Sequence, residues 1–311
     1  TMPMRYGYAC INMELSYPRK FDKPRGTKKV TMSRGMIRRT FDAKGIAYAS
    51  ELALQNVRDF LPILKWNVAN DIHFFRVTSN VFPWASEYEI QDLPDYEEIE
   101  KLCKETGEYA KEHNIRITSH PGPFNKLASP NERVVRNTTR DLDIHGEFFD
   151  MIGLPRTPEA KINIHVGAAY GDKKTALSTF CRNFDKLPTR VKSRLTVEND
   201  DGKSLYTTKE LHEGVFVHVG CPIVFDYHHH SLHPGQETEK EALEIAVSTW
   251  GNIKPVVHYS ESRSEEQNNP KIKPCAHSDL VVGPVSDYGF DLDVMIEAKH
   301  KELALKNLRG Y

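Results

Sequence analysis

Eight short apolar runs, spaced along the chain and separated mostly by stretches of helical periodicity, constrain the fold of this protein more than any other feature. The runs cover residues 5–11, 72–78, 115–119, 161–166, 194–197, 223–225, 255–258 and 291–295 and read as strands. Helical spacing is expected over residues 50–70, 94–114, 130–152, 173–187, 208–219, 238–250 and 298–308. In the first of these Ser50 reads as the N-cap, and Leu52, Val57, Phe60, Leu61 and Leu64 share one face. Pro62 lies inside that pattern and predicts a break or kink. Strand–helix alternation over 311 residues, with no linker or repeat to divide it, predicts an α/β protein: a (β/α)8 TIM barrel forming a single catalytic domain over residues 1–311.

A barrel of this kind places its chemistry where the strands end. The first strand ends in Tyr8 and Asn12, and the second runs from His73 through Arg76 to Ser79. The following ends carry His120, His165, Glu198, Asp226 with His229, His258 and Glu297. The loop after the seventh strand adds His277 and Asp279. One buried histidine is ordinarily a packed core residue. Six consecutive strands that each bring a His, Asp or Glu to one rim would concentrate unpaired charge at a high cost unless a cation compensates it. Imidazoles and carboxylates without a thiolate suit Mn, Zn or Fe. Eight such ligands, Asp279 left aside, exceed the needs of one ion, so two or three are expected, with Glu198, in the middle of the series, as a bridge. Ions about 3.5–4 Å apart suit in-line displacement at phosphorus. His113, His145, His212, His218 and His300 fall in helical segments and read as packing or surface residues, while His228, His230 and His233 lie near the site but point away from it.

Charge distribution narrows the substrate. The net charge is −1, yet residues 19–44 hold ten Lys and Arg against Asp22 and Asp42. A segment of about +8 after the first strand opens on the ligand rim and suits phosphate contact by Arg25, Lys28 and Lys29. No apolar stretch reaches the roughly 18 residues of a membrane span, and no signal-peptide core opens the chain, whose Thr1-Met-Pro reads as a processed start. Five cysteines without a C-x-x-C pair suggest reduced, structural thiols and an intracellular location.

Gly7-Tyr-Ala-Cys-Ile-Asn12, Arg76-Val-Thr-Ser79, Ser119-His-Pro-Gly122, Asn163-Ile-His-Val-Gly167, Val197-Glu-Asn-Asp200, Phe225-Asp-Tyr-His-His229 and Glu297-Ala-Lys299 together resemble the motifs of UV damage endonucleases, barrel enzymes related to endonuclease IV and the xylose isomerase superfamily. The resemblance runs in order from about residue 5 to residue 300. It implies up to three divalent ions, manganese first, with Zn²⁺ or another divalent ion as the alternative. His120, His165 and Glu198 would hold one; Glu198, Asp226, His258 and Glu297 a second; His229 and His277 a third. It implies hydrolysis of the phosphodiester immediately 5′ of a UV photoproduct, leaving a 3′-hydroxyl, with the damaged dinucleotide turned out of the duplex. Tyr8, Asn12 and His73 would then sit at the lesion or the phosphate, and Glu198, Asp226 and His73 would carry the chemistry.

Two positions depart from that pattern. The Gln-Tyr expected after His-Pro-Gly is Pro123-Phe124, an apolar pair that can still wedge into the duplex. The lysine expected two residues before the seventh-strand histidine is Val256, with Lys254 offset from it. Three other readings compete: an abasic-site endonuclease on the same barrel, a sugar isomerase with similar ligands, and a non-catalytic damage-binding protein. The first reading expects damaged double-stranded DNA as partner, no membrane, and a monomer.

Overall fold

The apolar runs, rich in Val, Ile and Phe, form strands as their side chains require. The computed structural model describes residues 4–310, so the Thr1-Met-Pro start lies outside the described residues. Within them, eight parallel strands close into a barrel in sequence order. They are β1 (Tyr6–Ala9), β2 (Phe74–Val77), β3 (Arg116–Ser119), β4 (Ile162–Ile164), β5 (Leu195–Glu198), β6 (Ile223–Asp226), β7 (Val256–Tyr259) and β8 (Asp293–Ile296). Every strand lies within two residues of its expected bounds. β8 pairs back onto β1 through Val294 with Tyr6 and Met295 with Gly7, which removes any free edge.

Side chains along a strand alternate between faces, and in this barrel the alternation separates core from site. Ala9, Phe74, Val224, Val256 and Met295 fill the interior with Trp250. Residues of the opposite parity, Tyr8, Phe75, Ile117, Val197, Phe225 and Val257, pack outward against the helices. The interior parity continues upward to Arg76, His120, His165, Glu198, Asp226, His258 and Glu297. Strand register therefore delivers these seven side chains to one mouth of the barrel.

The first long helix begins well before Ser50. It spans Arg38–Ala69, bent at Gly45, whose φ of 68° no side-chain-bearing residue adopts readily. Ser50 lies inside this helix, fully buried, and serves another one. Its hydroxyl donates to Asp95 Oδ2 at 2.7 Å and accepts the Asp95 backbone N–H at 2.9 Å, at the start of Tyr96–Glu112. The helix runs through Pro62, which faces solvent, where a freed carbonyl can turn to water. Leu52, Val57, Phe60 and Leu64 are buried as the spacing predicts, with Ile63 beside them and Leu61 only half-buried.

The remaining helices, Glu132–Ile152, Lys173–Asp185, Glu239–Val247 and Glu302–Leu308, fall within their expected segments, and Thr208–Leu211 continues through one π turn, His212–Phe216, into Val217–Val219. Among the described residues no helix is long and apolar enough to cross a membrane. All five cysteines are free; Cys103 and Cys221 are buried, while Cys275 is exposed.

A buried ionic network closes the opposite end of the barrel. Asp293 accepts from Arg5 at 2.6 Å and from Arg116 at 3.0 Å, with all three side chains nearly or fully buried. Lys254 joins it, 3.3 Å from Asp293. The lysine nearest in sequence to the seventh-strand histidine thus belongs to the floor of the barrel, away from the ligand rim.

Candidate metal centre

Glu198 is the hub of the rim. It is buried at the end of β5, and its Oε1 lies 3.2 Å from His120 Nε2, His165 Nε2 and His258 Nδ1. Its Oε2 lies 3.2 Å from His229 Nδ1. Asn163, inward-facing on β4, donates to Oε1 at 2.8 Å and fixes the carboxylate. One carboxylate facing four imidazoles is an arrangement suited to bridging cations.

Two groups of potential ligand atoms, each within 4.8 Å of one another, are gathered here: His120, His165 and Glu198, and Glu198, Asp226, His258 and Glu297. They coincide with the first two expected ligand sets. His229 and His277 are not gathered with a third ligand among the described residues. His277 sits on the loop after β7, lining a cavity with Arg76, Glu297 and Lys299. Asp279 pairs with Arg263 and is not drawn into the cluster.

The residues present fit a divalent cation. Asp226 Oδ2 and His258 Nδ1 are buried polar atoms with no hydrogen-bond partner, a costly state unless an ion accepts both. Burial works against charge on His165, yet Glu198 and Asp200 overcome it and push the imidazole up to about 10. Asp226 and Glu198 likewise overcome burial at His229 and push it up to about 11. Burial instead pushes down the other two imidazoles that face Glu198, His120 and His258, the latter to about 4.

His120 and His165 are each oriented by a partner behind the ring, the pattern that fixes ring tautomers in metal sites. His120 Nδ1 lies 3.0 Å from the Pro121 carbonyl, leaving Nε2 toward Glu198. His165 Nδ1 lies 2.9 Å from Asp200 Oδ1. His229 differs: the Nδ1 that faces Glu198 Oε2 also lies 2.8 Å from the Asn199 carbonyl. Asn199 also clamps β6, accepting from the Asp226 N–H at 2.8 Å and donating to the Asp226 carbonyl at 3.1 Å. Arg76 holds Glu297 at 2.9 Å.

Sequence reasoning missed Asp200, Asn163 and Lys161 as members of the site. Lys161 is fully buried, pushed down to about 7 by desolvation, with Nζ 3.2 Å from His258 Nε2. Val256 fills the inward position where the resemblance expects a lysine, and this lysine reaches the same histidine from β4. The signal was available: Lys161 shares the parity of Asn163 and His165.

The structure places three expected site residues away from the ligand cluster. His73 precedes β2 and so lies at the opposite end of the barrel; its Nδ1 meets the His113 carbonyl at 2.9 Å, and its Nε2 is 3.4 Å from Asp71. Its parity also points it outward, away from the ligand rim. Tyr8 is fully buried between β1 and the helix Arg38–Ala69, donating to Asn67 at 2.6 Å and accepting from Asn12 at 3.1 Å. Asn12 is equally buried and caps the turn Met13–Ser16 by accepting the Leu15 N–H. Neither Tyr8 nor Asn12 offers a surface to DNA.

Pro123 and Phe124 stand exposed beyond the rim, Phe124 at 87%. Arg25, Lys28 and Lys29 are exposed and have no carboxylate within ion-pair distance among the described residues. The basic segment is not one uniform loop, however. Lys23 pairs with Glu14, Arg34 with Asp59 and Arg38 with Asp42 and Glu87, while Arg38, Arg39 and Lys44 belong to the helix. His228, His230 and His233 are packing residues, for example through His228 Nε2 on the Pro274 carbonyl at 2.9 Å.

The sequence profile of the family described as UV-endonuclease UvdE matches residues 4–310. A UV DNA damage endonuclease of Bacillus cereus (strain B4264) is 36% identical over 265 residues, 82% of this chain and 80% of its own. One of Bacillus mycoides (strain KBAB4) is 34% identical over 268 residues, 83% and 80%. Among solved structures, SacUVDE superposes with a TM-score of 0.81 at 29% identity, covering 98% of this chain and 97% of its own. D-Psicose 3-epimerase from Clostridium cellulolyticum H10 superposes at 0.52 with 14% identity, over 77% and 79%, a likeness of fold alone. With the profile spanning all the described residues and relatives covering four-fifths of both chains, this chain belongs to the UV-endonuclease UvdE family.

Proposed function

We propose that this chain is an intracellular, metal-dependent DNA repair endonuclease that hydrolyses the phosphodiester immediately 5′ of a UV photoproduct in double-stranded DNA, acting as a monomer. The observation that carries the reading is the Glu198 carboxylate facing four imidazoles at 3.2 Å in a family of DNA endonucleases. Divalent ions, manganese first as the family resemblance implies and Zn²⁺ as the alternative, would be held by His120, His165 and Glu198 and by Glu198, Asp226, His258 and Glu297, and would supply Lewis-acid polarisation of the phosphodiester for attack by water.

The protein's own residues do the rest. Asn163, Asp200 and Asn199 hold Glu198, His165 and Asp226 in place, so that little reorganisation is needed at the moment of reaction. Phe124, exposed beyond the rim, fills the gap left when the damaged dinucleotide leaves the stack. Unstacking costs least where damage has already weakened pairing, which favours photoproducts over intact DNA. Arg25, Lys28 and Lys29 draw the duplex across the rim.

A nicking assay on duplexes carrying a cyclobutane dimer, a 6-4 photoproduct, an abasic site or no damage, each with Mn²⁺ and with chelator, tests the reading. Mn²⁺-dependent nicking of the photoproduct duplexes supports it. Nicking confined to the abasic duplex would replace it with the abasic-site endonuclease, and nicking of none would return the isomerase and binding-protein readings.

A further inference from the structure

The wall of the metal cavity holds a cation that the ligand set does not use. The cavity, of about 440 Å³, is lined by His120, His165, His229 and Glu297 and by two basic side chains, Arg76 and Lys126. Arg76 is committed to Glu297 at 2.9 Å. Lys126 is not committed to any acid. Its Nζ donates to the Gly167 carbonyl at 3.2 Å, and among the described residues no carboxylate lies within ion-pair distance of it. Asp200 and Asp201 line the same cavity, but Asp200 is taken by His165 Nδ1 at 2.9 Å and by the Tyr206 N–H at 3.3 Å. An ammonium with three donors and one carbonyl partner keeps most of its charge available.

Gly167 has a φ of 74°, and a Cβ there would stand 2.3 Å from Lys126 Nζ, so the missing side chain is the space the ammonium occupies. The backbone of the lysine is fixed as well: its N–H donates to Thr138 Oγ1 at 2.9 Å. Its neighbour Asn125 donates to Asp141 at 2.8 Å and to the Gly122 carbonyl at 3.0 Å. Lys126 follows Phe124 by two residues and rests on the residue two beyond His165. It therefore spans the interval between the exposed wedge and a ligand of the metal cluster. Any strand that has its nucleotides displaced at Phe124 and its phosphodiester placed at the ligands must pass through that interval, and the group it carries there is a phosphate.

We propose that Lys126 is a phosphate-binding residue, donating to a non-bridging oxygen of the scissile phosphate or of the one next to it on the lesion side. The proposal rests on the endonuclease reading above. It adds one charge-assisted contact inside the cavity, distinct from those of the exposed basic segment.

The test compares wild-type protein with Lys126→Met and Lys126→Arg on a duplex holding one cyclobutane dimer. The readouts are initial rates over a range of salt concentration, manganese content and thermal stability. A second series of duplexes carries a neutral methylphosphonate at single positions within two phosphates of the cut. Lys126→Met is expected to lower kcat/KM on the order of tenfold to a hundredfold and to flatten its salt dependence by about 0.9 in the log–log slope, the value of one phosphate contact. Manganese content should be unchanged, and Lys126→Arg should restore the slope. One methylphosphonate position should cost the wild type a similar factor and cost Lys126→Met nothing further. An unchanged slope, or a methylphosphonate penalty equal in both proteins at every position, would reduce Lys126 to a brace for the Gly167 carbonyl. If Lys126→Met fails to fold, Lys126→Gln carries the same comparison. Failure of the wild type to nick the damaged duplex would instead remove the endonuclease reading itself.

Discussion

Asp226 Oδ1 accepts the backbone N–H of His229 at 2.9 Å, while Asp226 Oδ2 is left buried, without a hydrogen-bond partner, 3.5 Å from His229 Nδ1. The i, i+3 spacing of this pair is thus a capping register: Asp226 is the N-cap of the helix Tyr227–Leu232, and the cap fixes which oxygen remains for a cation. The two oxygens can be separated by substitution. Asp226→Asn keeps a good cap and should leave stability within about 1 kcal/mol while losing manganese. Asp226→Ala should lose manganese and a further roughly 0.5–2 kcal/mol of stability, the usual range for a deleted cap. Metal analysis and chemical denaturation distinguish them; full manganese in Asp226→Asn would place the ligand elsewhere.

Phe124 is 87% exposed, so its removal should leave the fold untouched. Stacking contributes about 1–3 kcal/mol per base in single-strand binders. Phe124→Ala should therefore lose on the order of tenfold in discrimination between photoproduct and intact duplex, measured by competition binding. Wild-type discrimination in the variant would mean that this side chain makes no stacking contact with the bases.

Arg25, Lys28 and Lys29, three of the cations of the basic segment without a carboxylate partner among the described residues, address binding in general. Replacing Arg25, Lys28 and Lys29 with Ala should weaken damaged and undamaged DNA alike and lower the salt slope by about 0.9 per lost phosphate contact. Manganese content should not change, and exposed substitutions should each shift stability by no more than about 0.5 kcal/mol. An unchanged slope would leave the segment as solvated surface.

At the far end of the barrel the expected effect is on stability alone. Burial by itself would raise the Asp293 carboxyl, but hydrogen bonds and charge from Arg5, with the charge of Arg116, outweigh it and hold the group below its ordinary range. A carboxyl depressed on folding contributes stability above its unfolded pKa of about 3.9 and loses that contribution as pH falls through the lower folded value. Asp293→Asn should cost about 3–5 kcal/mol at neutral pH, because two buried guanidinium groups lose their partner. Denaturation curves of wild type and variant should converge as pH falls below the ordinary carboxylate range. A gap of constant size down to acid pH would assign the loss to packing.

The strands were legible because short apolar runs bounded by polar turns have few alternatives, and the ligands were legible because each stands at a strand's end. What failed was parity. The family resemblance places Tyr8 and His73 at the lesion or the phosphate, but Tyr8 has the outward parity of Phe75, and His73 enters the strand at the end of the barrel away from the ligand rim. The same rule, applied to β4, would have found Lys161 beneath His165. The helix Tyr227–Leu232 was hidden because six largely polar residues carry no apolar period. The start of the helix Arg38–Ala69 was hidden by its charge: Arg38, Arg39 and Lys44 read as loop, although ion pairs from Arg38 to Asp42 and Glu87 anchor that turn.

The central claim is that the cluster around Glu198 cuts DNA at a photoproduct. An end-labelled duplex with one cyclobutane dimer, incubated with Mn²⁺ and resolved beside sequencing markers, tests it directly, with Glu198→Gln as the paired protein. The account predicts a single cut immediately 5′ of the dimer that leaves a 3′-hydroxyl able to prime a polymerase. In Glu198→Gln it predicts loss of manganese and a rate lowered by more than about a hundredfold, beyond what changes behind the ligands cost, with binding to the damaged duplex retained. A cut at any other position, or undiminished cutting by Glu198→Gln at full manganese, would contradict it.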